Sequence, residues 1–124
     1  MNILEVAKKY EQYIIDMRRH FHMNPEPSMQ EFETSKRVQE ELDKMGVEYV
    51  VCGNGIGVLA TIRGAKPGKT ILLRADMDAL TVNEDGDLPF KSTKDGVMHA
   101  CGLDAHTALL LGAAQILKDV KDEL

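Results

Sequence analysis

Apolar positions change their period along the chain, and the changes mark its elements. Leu4, Ala7, Ile14, Met17 and Phe21 recur at helical spacing through a stretch without proline or glycine, which predicts one amphipathic helix over residues 3–22, ended by Asn24-Pro25. Ser28-Met29-Gln30-Glu31 reads as a capping box, and Phe32, Val38, Leu42 and Met45 keep one face apolar behind it. A second helix is therefore expected over residues 29–45, with Gly46 as its C-cap and Lys36, Arg37, Glu40, Glu41 and Lys44 on a solvated face. Two β-branched runs, 47–52 and 57–63, flank the turn signal Gly53-Asn54-Gly55, and Gly64-Ala65-Lys66-Pro67-Gly68 precedes a third run, Thr70–Arg74. Ile71-Leu72-Leu73 does not alternate, which predicts a central strand buried on both faces. Thr107 to Ala114 are apolar almost all round, which predicts a buried helix from about Ala105 to Val120.

Together these elements predict an α/β layered sandwich of two N-terminal helices, a three-stranded meander and a buried C-terminal helix. No repeat, linker or internal boundary interrupts residues 1–124. A three-stranded sheet leaves an edge poorly covered, so the pattern reads as the incomplete part of a larger α/β domain.

Composition narrows the class. Hydrophobic residues make up 44% of the 124, which suits a globular domain. The net charge of -5 and the scattered basic residues give no footprint for nucleic acid. No apolar run approaches a membrane span, and the first residues lack the apolar core of an export signal, so a cytoplasmic location is expected. Lys121-Asp122-Glu123-Leu124 matches a retention address of the endoplasmic reticulum, read here as coincidence for want of an entry signal. Cys52 and Cys101 are too few for a disulfide scaffold and are expected to be reduced thiols.

Chemistry concentrates in Met98-His99-Ala100-Cys101-Gly102-Leu103-Asp104-Ala105-His106, where a thiol, two imidazoles and a carboxylate lie at the entrance of the last helix. Helix N-termini present unpaired amide donors that favour anionic groups. The plainer reading stands beside this one: Asp104 as an N-cap, Cys101 as a small buried hydrophobe, the histidines as satisfied polar groups. Asp76 and Asp78 fall where the third strand becomes loop, a place where α/β sheets build sites, although two aspartates can also simply cap turns. Arg18, Arg19, His20 and His22 crowd the end of the first helix, where cations suit the helix dipole. Residues 83–97 read as a polar connecting loop.

Three stretches in fixed order carry a resemblance: Arg18-Arg19-His20-Phe21-His22-Met23-Asn24-Pro25-Glu26 with Glu31 and Thr34, then Arg74-Ala75-Asp76-Met77-Asp78-Ala79-Leu80, then Met98 to Thr107. They resemble the M20 metallopeptidase superfamily, specifically its amidohydrolase branch of N-acyl-amino-acid, hippurate and indole-acetyl-amino-acid hydrolases. The resemblance runs from about residue 10 to 120 and implies the N-terminal part of a longer two-metal catalytic domain. It implies a divalent metal pair (Zn, Mn, Co or Ni), held in part by a cysteine and a histidine of this last motif, and a small-molecule N-acyl amino acid as substrate. Cys101 matches the cysteine ligand. Leu103 stands at the histidine position and has no lone pair, which leaves Asp104 as the nearest fallback donor. The family's general-base glutamate and later ligands have no counterpart here. By resemblance, Asp78 and Asp76 orient ligands, and His99 and His106 support the site or face substrate. Thr81, where the branch usually carries proline, costs only loop rigidity.

The expectations that follow are a chain without stable metal and without activity by itself, and Cys101 lying close to Asp78. The alternative is a degenerate or truncated non-catalytic module with a structural or partner-binding role, pairing with a partner through its unfinished sheet edge; a homo-oligomer is a separate expectation.

Overall fold

The computed structural model describes residues 2–124. Asn2 opens helix α1 (Ile3–Lys8), its side-chain oxygen accepting from the amides of Leu4 and Glu5 at 3.1 and 3.4 Å. The single helix expected over 3–22 is divided at Lys9-Tyr10, and α2 follows as Glu11–Met23. The amides of Lys9 and Tyr10 bond three residues back, to Val6 and Ala7, which tightens the turn between the two segments. The hydroxyl of Tyr10 then reaches the Asp119 carboxylate near the far end of the chain. Both segments lie against the last helix, but only α2 buries side chains, Met17, Phe21 and His22; Leu4 stays largely exposed.

Helix α3 spans Phe32–Met45, three residues shorter at its start than expected. The capping box does not form: Met29 takes a left-handed conformation (φ 66°) in the turn closed by Gln30 on Pro27. The open amides of Glu33 and Thr34 are met instead by the Glu26 carboxylate at 3.2 and 2.5 Å, a buried acid at the positive end of the helix. Phe32 is exposed, so the apolar face of this helix is Leu42 and Met45 with Val38 beside them. Gly46 (φ 70°) ends it in the left-handed conformation that the sequence predicts.

Strands β1 (Glu48–Val51) and β2 (Val58–Thr61) pair antiparallel, Glu48 opposite Thr61. The Asn54 side chain organises their turn by accepting from the amides of Ile56 and Gly57. Among the described residues the third strand is absent, and the sheet has two strands. Ile71, Leu72 and Leu73 are 82, 76 and 52% exposed rather than buried on both faces. A run of this kind becomes a strand only between neighbours, and no described residue offers its backbone a ladder.

Helix α4 (Leu103–Asp119) begins two residues earlier than expected, behind Gly102 in the left-handed conformation (φ 81°). It is buried on one face only: Asp104, Thr107, Ala108, Leu111 and Gly112 point inward, while Leu109 is exposed. A β-carbon on Gly112 would sit 2.5 Å from Ile14, so the missing side chain lets α2 and α4 approach closely. The core is Met17 and Phe21 from α2, Leu42 and Met45 from α3, Val47, and Ala108 and Leu111 from α4. A short 3-10 turn, Lys121–Glu123, follows. The chain is thus α/β, with helices on a small hairpin in place of a covered three-stranded layer.

Candidate active site

The three motif stretches, far apart in sequence, meet at the N-terminal mouth of α4. The Ala79 amide donates to the Glu26 carbonyl at 2.8 Å beside a parallel bridge between Pro27 and Ala79. Leu80 and Met98 exchange two backbone bonds of 2.9 Å. Asp78 lies two residues before that bridge and Cys101 three after it, so both are tethered to one point. The Thr107 hydroxyl donates to the Asp76 carbonyl at 2.8 Å, fixing the second stretch to α4.

At the centre is a buried polar cluster. The Arg18 Nε donates to Asp104 Oδ2 at 2.9 Å, and His22 Nδ1 lies 2.8 Å from the same oxygen. His22 Nε2 lies 2.9 and 3.1 Å from the two oxygens of Glu84. Arg18 and His22 are four residues apart and so share one face of α2. The Ser92 amide donates to Glu84 Oε1 at 2.9 Å. Burial alone would push the Glu84 carboxyl up, but the Ser92 amide and then His22 outweigh it and hold the group below its ordinary value. Phe90 meets the His22 ring edge-on at 5.6 Å, with the guanidinium groups of Arg18 and Arg19 over its face at 5.1 and 5.0 Å.

Next to this cluster His99 is 4% exposed, and neither ring nitrogen has a partner; Asp104 Oδ1 is likewise buried without one. Burial lowers the His99 pKa, a shift that Asp104 and Asp78 oppose and that His22 and Arg18 reinforce, which keeps the ring neutral.

The residues singled out by sequence are therefore placed unequally. His99 and Asp104 are buried, Asp76, Asp78 and Leu103 half-buried, and Cys101 and His106 exposed. Asp104 is not the N-cap of α4, a position that Gly102 holds; its carboxylate crosses to α2. Nor is Cys101 a buried hydrophobe, since its thiol is free and exposed. Glu84 was missed altogether, because a lone acid in a polar loop looks like any solvated one. The roles of Arg18 and His22 were hidden behind the helix-dipole explanation, although their four-residue spacing was the available signal.

For a metal ion the donor set is poor. Cys101 offers a thiol, Leu103 offers nothing, and the fully buried Asp104 already accepts from Arg18 and His22 at Oδ2. Among the described residues no group of three or more His, Cys, Asp or Glu side chains could hold a metal. The residues present thus do not make a metal-pair site by themselves.

The sequence profile of peptidase family M20/M25/M40 matches residues 72–124. The chain is 55% identical over 120 residues to thermostable carboxypeptidase 2 of Saccharolobus solfataricus, covering 94% of this chain and 30% of the relative. It is 46% identical over 114 residues to N-acetyl-L-cysteine deacetylase of Bacillus subtilis, covering 92% of this chain and 27% of the relative. The crystal structure of Bacillus subtilis YXEP protein, described as a dinuclear metal binding peptidase, superposes with a TM-score of 0.90 at 43% identity. That match covers 94% of this chain and 33% of the other. The chain thus spans about a third or less of the length of the relatives it matches.

Proposed function

This chain belongs to the M20/M25/M40 peptidase family, and on that premise we propose that its residues 1–124 are the N-terminal portion of the catalytic domain of a metal-dependent amidohydrolase that cleaves the amide bond of N-acyl amino acids. One observation carries the reading: the stretches 18–26, 74–80 and 98–107 converge on the mouth of α4, joined by Ala79 to Glu26, Leu80 to Met98 and His22 to Asp104. Shared residues scattered over a surface would have argued for a fold alone. Convergence at one helix mouth argues for a site.

In this reading Cys101 is the ligand that the chain contributes, presented in the exposed turn before α4. Asp104 serves as the anchor of that turn and would be a ligand only as a fallback. Asp76 and Asp78 hold the neighbouring loop at the same end, and the exposed His106 faces substrate. His99, buried and neutral, supports the turn from beneath. Because Leu103 removes a donor and the remaining ligands and general base lie outside these residues, no catalytic step is assigned to the chain alone. A cytoplasmic location fits two unpaired thiols, and no helix among the described residues is long and apolar enough to cross a membrane. The second reading, a non-catalytic module that binds a partner, is favoured by one feature, the exposed run Ile71-Leu72-Leu73.

The test is zinc binding by calorimetry together with hydrolysis of N-acetyl amino acids in the presence of zinc, manganese, cobalt or nickel. The 124-residue chain should show no turnover, and Leu103→His should raise its zinc affinity only slightly. In a polypeptide of the relatives' length the same substitution should raise affinity at least about tenfold, since ligand completion depends on the other donors. Turnover by the 124-residue chain would overturn the first expectation. Equal affinity in the longer pair would remove position 103 from the ligand set.

A further inference from the structure

His22 sits between two segments and hydrogen-bonds to a carboxylate of each, whereas Arg18 bonds to Asp104 and meets the loop only through the face of Phe90. Its side chain is 2% exposed, and each ring nitrogen faces a carboxylate, Asp104 on one side and Glu84 on the other. Ionised carboxylates only accept hydrogen bonds, so the ring has to donate from both nitrogens, which only the doubly protonated imidazole can do. Arg18 brings a second cation to Asp104, and two cations facing two carboxylates leave the cluster neutral, the condition under which buried charge is tolerated.

The two carboxylates belong to different parts of the chain. Glu84 lies in the loop 81–97, whose far side is secured by Ser92 on Glu84 and by the amide and hydroxyl of Thr93 on the Met23 carbonyl, at 3.0 and 2.6 Å. Asp104 lies in the first turn of α4, three residues after Cys101, with the left-handed Gly102 between them. A planar ring with two opposed donors sets the distance and direction between these segments more sharply than a flexible amine could.

We propose that His22 is a positioning residue: by donating from both ring nitrogens it locks Asp104, and with it the 98–103 turn that presents Cys101, to the loop 81–97. The value of this lock for catalysis rests on the proposed reading of Cys101; the lock itself does not. An apolar side chain of similar size would fill the space but take one partner from each buried carboxylate, leaving Asp104 with Arg18 and Glu84 with the Ser92 amide, so the role is one of directed hydrogen bonding and not of packing.

The test uses the 124-residue chain without metal or substrate, so its outcome is independent of any hydrolysis result. Nitrogen-15 NMR at pH 7 should find hydrogen on both Nδ1 and Nε2 of His22; a ring nitrogen without hydrogen would overturn the proposal. In His22→Phe, amide exchange in residues 84–93 and 100–106 should speed up at least about tenfold while amides of α3 and the hairpin keep their rates. The rate of Cys101 alkylation should change relative to that of Cys52, the internal reference. His22→Gln, which retains an amide donor, should restore part of the protection. Unchanged exchange, or acceleration spread evenly over the chain, would show a packing role and overturn the lock. If His22→Phe does not fold, the ring spectrum and His22→Gln decide the matter.

Discussion

Single residues in this protein act through what surrounds them, and the titrating groups show it most directly. Burial lowers the pKa of His99 and of His20, the latter helped by the Arg37 guanidinium. On acidification the unfolded chain therefore takes these protons first, so stability should begin to fall once the pH drops below the ordinary histidine value of 6.5. Glu84 and Glu41 behave in the second way. Burial works against their ionised forms, but it is outweighed at Glu84 by Ser92 and His22 and at Glu41 by Lys44 and Arg37. Their depressed values give a contribution fully present above the ordinary 4.5 and lost as the pH falls through the folded-state values. Denaturant midpoints measured from pH 7.5 to 3 should thus decline in two stages, and Glu84→Gln should shrink the second. A flat profile between pH 6.5 and 5 would show that neither His99 nor His20 is held neutral by burial.

Among the elements, the contact of α2 with α4 matters most, because it brings Arg18 and His22 to Asp104. Its closeness depends on Gly112, whose β-carbon position lies 2.5 Å from both Cδ1 and Cγ1 of Ile14. Gly112→Val should cost about 1–3 kcal/mol through overpacking, more than any gain from removing a helical glycine. It should also loosen the His22 to Asp104 bond, seen as faster exchange of the Ala105 and His106 amides. Unchanged stability would mean that the two helices separate freely and that their contact does not hold the cluster. Element boundaries were less legible than element types. The capping box was outcompeted because the buried Glu26 carboxylate reaches the α3 amides from eight residues away, an interaction no local motif announces.

At the scale of the whole molecule the unusual feature is the exposed run Ile71-Leu72-Leu73, three large apolar side chains in a segment without ladder partners. Unpaired backbone beside apolar side chains is a template for strand addition. The 124-residue chain is therefore expected to self-associate as its concentration rises, and Leu72→Lys should suppress the association without changing the circular dichroism of the helices. Sedimentation velocity over a concentration series measures this. A chain that remains monomeric at high concentration would show that the run is shielded in solution.

What the sequence determined by itself is the family and most of the elements, the third strand and the undivided first helix excepted. Helical periodicity in 3–22 and 29–45, the C-cap Gly46, the hairpin turn at Gly53-Asn54-Gly55 and the three motif stretches are local patterns, and local patterns are set by backbone propensity and side-chain period. Only the tertiary structure decided that α2 and α4 cross closely enough for Arg18 and His22 to reach Asp104. It also decided that Glu84 is buried and that Ile71-Leu72-Leu73 is left uncovered. Each of these depends on residues brought together from distant parts of the chain, or on neighbours a strand must find elsewhere. The spacing of residues along one chain does not encode the distance between two segments after they fold.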